Sequence, residues 1–447
     1  MSVSEEPTDS ETRANSDPTT RGGLRRSTRL LLVLGILGGL NSATLLVLEQ
    51  PEQLSLATDV YFHAASAMLE NGDLYDASPP ELPGYRFIYP PIVVALFVPH
   101  ALLGSETAAF ALQTALNVVA GLGIAVVLVR ALGRRSVDLE LFDRLLLVAF
   151  VLLCSWSTNQ FVMGQVNLWL ALVIALGIDW LDAEWFDRSS EREGSADREG
   201  KSNRSTPAGI AFALAALVKL FPATLGLWLV RSRRYRAVGA AIATGVGGLV
   251  LGALVFGPDL TVEYLGEVLL ERFEGQTFEG TPDPDRNHTT VRRMLAAIFG
   301  GSSAIVTPLA FAIVVPPVAY CYRDVSTDAR RQAAVLATLV GTLLVMPLQP
   351  LYFSFLFLPV VVLAVGLEAG WPRRALFAGT LHTFTFAGPG TVEAVAGPLP
   401  DSLGASLVDL GRSVFSVILP PTVGMWLVLT ACVLIHARGR KGVDSAS

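Results

Sequence analysis

The residues able to do chemistry in this chain are few, and they stand beside long apolar runs. Asp59 follows the first run and opens the stretch DVYFHAASAMLENGDLYDASPPELPGYRFIYPP, residues 59–91. A carboxylate at a bilayer edge can serve as general base toward a sugar hydroxyl. The same residue type also caps helices, and helical periodicity runs from Val60 to Glu70 behind it. Tyr61, Ala65 and Met68 fall on one face; His63, Ser66 and Glu70 fall on the other. Gly72 suits the stop. The pattern predicts an amphipathic helix lying in the interface, with Asp59 where its N-cap falls. The entry YRFIYPP at 85–91 then leads into the next apolar run. Tyrosines at such a mouth form an aromatic belt, and proline fits a first helical turn. Arg86 is the exception, because a guanidinium there can hold a lipid phosphate.

Two amides, Gln165 and Asn167, lie inside an apolar run, where they need partners. Helix–helix hydrogen bonding is one reading; ligand binding is the other. Lys219 is the sole lysine in an apolar run. An ionisable group at membrane depth is a functional candidate, unless it snorkels to the interface. His288 lies in the sequon NHT of a long polar loop, and a second sequon begins at Asn203. Sequons are short motifs, and a loop histidine can have no role at all.

The elements that must position these residues are helices. The chain has 447 residues, 52% of them hydrophobic and 16% charged, with mean hydropathy +0.51. This predicts an all-α, polytopic membrane protein. Residues 1–29 read as a disordered cytoplasmic tail with a basic collar, 30–437 as the membrane domain and 438–447 as a second cytoplasmic tail. The tail is too polar for a secretory leader. Apolar runs lie at 30–48, 88–104, 107–129, 145–178, 208–230, 237–257, 303–322, 332–349, 351–370, 375–388 and 414–436. The run 145–178 is too long for one upright span, and its patch SWSTNQ at 155–160 predicts a turn at membrane depth. Lys219 and Pro222 interrupt the run 208–230. Splitting one of these two runs gives about twelve spans with both termini inside. Splitting both, or neither, breaks that pattern. In this scheme Arg130–Arg135 faces outside, against the positive-inside rule. The long loops 49–87, 258–300 and 389–413 gather on the outer side, where function is expected.

Taken together, these pieces resemble glycosyltransferase family 87, membrane enzymes of the C superfamily. The resemblance rests on Asp59, Tyr61, Ala64 and Ala65 after the first span, GDLY at 72–75 and FIYPP at 87–91. It continues through Gly164, Gln165 and Asn167, then Lys219 and Pro222 ahead of the arginines of 231–236, and covers about 55–360. The family often carries a stretch like Ser-Pro-x-Ser-Trp-x-His-Tyr at the start of a late span. Here that place reads MPLQPLYF, 346–353, with Tyr352 at the histidine position. The resemblance implies inverting transfer of a hexose, mannose in the family's pattern, from a polyprenyl- or dolichyl-phosphate donor to a lipid or glycan acceptor. It makes Asp59 the base, with Tyr61, Arg86, Tyr89, Gln165, Asn167, Lys219, His288 and Tyr352 binding donor or acceptor. Arg86 and Lys219 would stabilise the phosphate leaving group. The site would face outside at the cell membrane.

No acidic cluster suggests a metal, no Gly-rich loop suggests a nucleotide, and no cofactor is expected. The net charge of −6 does not suggest a nucleic-acid partner. Cys154, Cys321 and Cys432 have no disulfide or metal spacing. The competing class is a transporter or lipid flippase, which often carries paired broken helices in repeated halves. Two interrupted runs are present, without a repeat of halves. A structural scaffold explains neither the outer carboxylate nor Lys219.

Overall fold

The computed structural model of the chain describes residues 23–70, 72–192, 204–270, 283, 287–346, 348–385 and 387–437. Residues 1–22 and 438–447 of the expected tails, and the sequon residue Asn203, lie outside them. Every regular element described is a helix. The first eleven are α1 (Arg26–Glu49), α2 (Leu56–Leu69), α3 (Pro91–Val94), α4 (Val98–Leu102), α5 (Glu106–Gly133), α6 (Leu141–Leu153), α7 (Ser155–Met163), α8 (Asn167–Arg192), α9 (Ser205–Val218), α10 (Leu225–Arg231) and α11 (Tyr235–Phe256). Among the described residues, five helices are long and apolar enough to cross a membrane. The pair α6 and α7, bent by 48°, makes a sixth. The protein is an all-α membrane protein.

Ion pairs fix which helix ends lie together. Arg29, at the start of α1, bonds Asp143 at the start of α6 (2.7 Å). Arg135, just past α5, reaches Asp182 on α8 (2.8 Å) and Asp328 at the start of the helix Asp328–Val345 (2.7 Å). Arg134 pairs with Asp179. Glu184 accepts from Ser205 and from Arg234, both at 2.7 Å. Arg231 donates to the Arg323 carbonyl, and Arg25 to the Leu367 carbonyl. One end of the bundle therefore gathers nearly all the basic segments, including Arg25 and Arg29, which composition alone assigns to the tail.

This arrangement revises the sequence expectations in three places. The run 88–104 is not a span. It forms only α3 and α4, four and five residues long, because Pro90, Pro91 and Pro99 punctuate it. With that crossing removed, α5 runs toward the basic end and carries Arg130–Arg135 there. The charge conflict of the sequence reading disappears.

Both long runs also reverse direction. α6 begins and α8 carries Asp182 at the basic end, so the chain turns back between them. The reversal is at Gly164, φ +64°, rather than in the polar patch. A Cβ at Gly164 would fall on the Thr58 hydroxyl, so a side chain is excluded there. The patch 155–160 is itself helical and buried inside the bundle, where part of it finds partners while the Ser155 and Ser157 hydroxyls have none among the described residues. Thr158 bonds the Gly39 carbonyl (3.0 Å) and Trp156 bonds Thr383 (3.1 Å). In the second run, Ser205 and Arg234 share Glu184, so α9 and α10 start and finish at the same end. The apex is Lys219 followed by a 3₁₀ turn, Phe221–Thr224.

Finally, the face of α2 expected toward lipid packs on protein. Tyr61 is 2% exposed and stacks on Phe97 at 4.1 Å, while Ala64 and Ala65 are fully buried. α3 and α4 supply this cover because the stretch 88–104 does not leave through the membrane.

Candidate functional site

Asp59 is not the cap of α2. The helix begins at Leu56 after Ser55, which takes a left-handed conformation (φ +61°), and Asp59 lies one turn inside. Ser55 donates its hydroxyl to Asp59 Oδ2 at 2.6 Å. The Asp59 Oδ1 atom is buried and has no hydrogen-bond partner. Burial pushes the carboxyl above the usual range, against the Ser55 hydrogen bond, and Glu106 adds to the rise. The sequence reading takes an ordinary carboxylate; the structure gives a perturbed one, as is common where a base is poised for work.

Two residues further along α2, Tyr61 points into a polar cluster. Its hydroxyl donates to Gln165 Oε1 (3.1 Å) and lies 3.3 Å from the Tyr89 hydroxyl. Burial raises the Tyr61 phenol well above its ordinary value, so at neutral pH it remains a donor. Lys219, at the α9–α10 apex, sits 4.9 Å from the Tyr89 ring centre and 5.3 Å from that of Tyr352. Its ammonium also donates to the Tyr352 hydroxyl at 3.4 Å. An ammonium between two aromatic faces is attracted to both rings. The extended backbone at Lys219 (φ −134°, ψ 111°) allows this placement, because the helix ends there. Asn167 joins through Gln160, whose carbonyl oxygen accepts from it at 3.0 Å and whose amide bonds the Leu351 carbonyl.

Tyr61, Tyr89, Gln165, Asn167, Lys219 and Tyr352, which lie far apart in the chain, are thus brought together. Arg86 is not. It is exposed, and its guanidinium bonds Asp76 at 3.0 Å. The reason is local: Phe87 and Tyr89 are buried against the bundle, while Tyr85 and Arg86, which precede them, stay at the surface.

His288 also stands apart, in a cavity of about 650 Å³ on the other side of α7. Glu49, Gln53, Asn159, His288, Gln349 and Arg412 are among its polar lining. The chain alternates between the two spaces. Asn159 and Leu351 line the cavity, while their neighbours Gln160 and Tyr352 serve the cluster. Asp59 lines neither this cavity nor a smaller surface depression beside His63.

Sequence reasoning missed Gln113 and Asn117. One turn apart on α5, both donate to the Gln165 carbonyl, at 3.2 and 3.0 Å, and hold the turn after Gly164 in place. The signal was present as two amides four residues apart in an apolar run. It also missed Arg293, buried in the helix Val291–Phe299 and bonded to the carbonyls of Asp283 (2.7 Å) and Phe415 (2.6 Å).

The glycosyltransferase family 87 model matches residues 87–350, more than half of the chain. The chain is 30% identical over 243 residues to the polyprenol-phosphate-mannose-dependent alpha-(1-2)-phosphatidylinositol pentamannoside mannosyltransferase of Mycolicibacterium smegmatis. That match covers 52% of this chain and 51% of the relative, so the chain spans about half the length of the curated relative it matches. No solved structure matches. A helical membrane bundle, the motifs from Tyr89 to Gln349 inside the matched segment, and the match itself agree: the chain belongs to glycosyltransferase family 87.

Proposed function

We propose that this protein transfers a hexose, mannose by its kinship, from a polyprenyl-phosphate donor to a glycolipid acceptor, with inversion at the anomeric carbon. The observation that carries this reading is the meeting of Tyr61, Tyr89, Gln165, Lys219 and Tyr352 in one buried cluster, with the perturbed Asp59 carboxylate on another face of the same helix, α2. The matching relative is, by its name, a polyprenol-phosphate-mannose-dependent mannosyltransferase, which supports the donor class.

In this reading Asp59 accepts the proton of the acceptor hydroxyl as its oxygen attacks the anomeric carbon. The bond from that carbon to the phosphate oxygen breaks, and the phosphate leaves with the electron pair. Lys219 meets the developing charge, with the phenols of Tyr61, Tyr89 and Tyr352 as further donors around it. Gln165 and Asn167 keep the floor of the site in register. The amides, carboxylates and His288 of the 650 Å³ cavity suit the remoter hydroxyls of a glycan acceptor, not the reacting one, since Asp59 does not line it. Arg86 drops out of the donor site.

The membrane reading follows the charge. The basic end gathers Arg130–Arg135, Arg231–Arg236 and Arg323–Arg331, and the positive-inside rule puts that end in the cytoplasm. About twelve passes follow when both reversing runs are counted as hairpins. Asp59, a full length of α1 from Arg29, then stands at the outer face of the cell membrane. The test is transfer of radiolabelled mannose from polyprenyl-phosphate mannose to extracted glycolipids by the purified protein in lipid. Labelled glycolipid from wild type and none from Asp59→Asn is the expected result. Absence of transfer from any polyprenyl-phosphate hexose by a folded wild type would overturn the reading.

A further inference from the structure

A second pair of titratable groups lies one turn beyond Asp59, and nothing above uses it. His63 follows Asp59 by four residues on α2, which places the two side chains on one face, about 5–6 Å apart at Cβ. The His63 Nε2 atom lies 2.6 Å from Glu106 Oε1, in the first turn of α5. An ionised carboxylate only accepts, so Nε2 carries the hydrogen, and in the neutral ring Nδ1 carries the lone pair. His63 lines the surface depression together with Ser66, Glu70 and Ser78, which leaves the ring open to water on that side. The edge of Phe62 packs on it at 5.3 Å. The charged groups around this face are Asp59 and Glu70 on α2, Glu106 on α5 and Glu81 in the turn before α3. Glu106 and Glu81 both act on Asp59 to hold its proton, and His63 acts the other way.

A base that keeps its proton is unavailable for the next turnover. We propose that His63, oriented by Glu106, is the group that takes the proton from Asp59 after transfer and releases it to outer water. The proposal rests on Asp59 being the base. The hydroxyl proton goes first to the Asp59 carboxylate, then to Nδ1 of neutral His63, giving an imidazolium beside the Glu106 carboxylate, and then to water or buffer. Donor and acceptor bonds change only in the first step. His63 touches neither substrate, so it is a positioning and relay residue.

The experiment compares the pH dependence of kcat for the full-length protein in lipid nanodiscs, using wild type, His63→Gln, Glu106→Gln and Asp59→Asn. With His63→Gln, kcat is expected to fall about tenfold with KM for the lipid donor unchanged, and added imidazole buffer is expected to restore much of the loss. Glu106→Gln removes the acceptor that orients the His63 ring and a carboxylate that raises the Asp59 pKa, so kcat falls as in His63→Gln while the acid limb set by Asp59 moves to lower pH. Unchanged kcat and pH profile in His63→Gln, with Asp59→Asn inactive, would overturn the relay and leave the base intact. Loss without imidazole rescue, accompanied by a lower melting temperature, would also overturn it in favour of a packing role. Full activity in Asp59→Asn would end the base reading, and the relay with it.

Discussion

Ser55 donates a 2.6 Å hydrogen bond to Asp59 from the residue that precedes α2. Asp59 thus has a fixed orientation without being the helix cap, and its other oxygen is buried without a partner. An acid that burial holds above its ordinary range costs stability when ionised. The sign follows from the direction of the shift. Any stability Asp59 contributes is present below its unfolded-state pKa and lost as pH rises through the raised folded value. Asp59→Asn should therefore melt no lower than wild type at neutral pH while losing transfer by about 10²-fold or more. Transfer assays and thermal melts on one preparation check this; near-wild-type transfer defeats the base assignment.

The same hydrogen bond makes a pH prediction. Transfer needs ionised Asp59, so activity should fall as pH drops through its raised pKa. The Ser55 hydroxyl lowers that pKa. Ser55→Ala should shift the acid limb of kcat to higher pH without changing expression. A limb that stays in place or moves down contradicts the assignment.

Lys219 and Arg86 separate two arginine-or-lysine readings that look alike in sequence. Lys219→Ala should weaken use of the polyprenyl-phosphate donor by about 10- to 150-fold, the loss of one charge-assisted contact worth about 1.5–3 kcal/mol. Arg86→Ala, which removes only an exposed pair with Asp76, should stay within about twofold, since such pairs contribute little. Donor kinetics decide; equal losses would return Arg86 to the site.

The short helices α3 and α4 make a topological prediction. Single cysteines at Ser78, Ser136 and Ser232, in a protein freed of Cys154, Cys321 and Cys432, report sidedness to an impermeant thiol reagent. Ser136 and Ser232 should label from the cytoplasm and Ser78 from outside. Ser136 labelling with Ser78 would restore a crossing at 88–104.

Asp182 holds the basic end together. It is 1% exposed and bonds Arg331 at 2.6 Å, Arg135 at 2.8 Å and the Gln332 amide. Asp182→Asn removes one of the two carboxylates that Arg135 and Arg331 share and leaves Asp328 to serve both. Such a break costs about 3–5 kcal/mol, which should appear as a clear drop in melting temperature in detergent. Unchanged melting would show that the arginines find other partners.

The sequence by itself determined that the chain is helical and membrane-embedded, because apolar runs of that length have no other stable solution. It also marked most of the cluster, since Gln165, Asn167 and Lys219 are costly in lipid wherever they fall. Tertiary structure decided what those residues touch. Hydropathy counts 88–104 as a span, for it registers transfer energy and not the three prolines that break the segment into α3 and α4. The position of the reversal at Gly164 depended on a contact with Thr58, 106 residues away in the chain. The side to which Arg86 points depended on Phe87 and Tyr89 being drawn inward by partners on other helices. The relation of Asp59 to Ser55 turned on a left-handed residue that no periodicity records. Local pattern fixes which surfaces must be buried, while long-range contacts choose the partners that bury them.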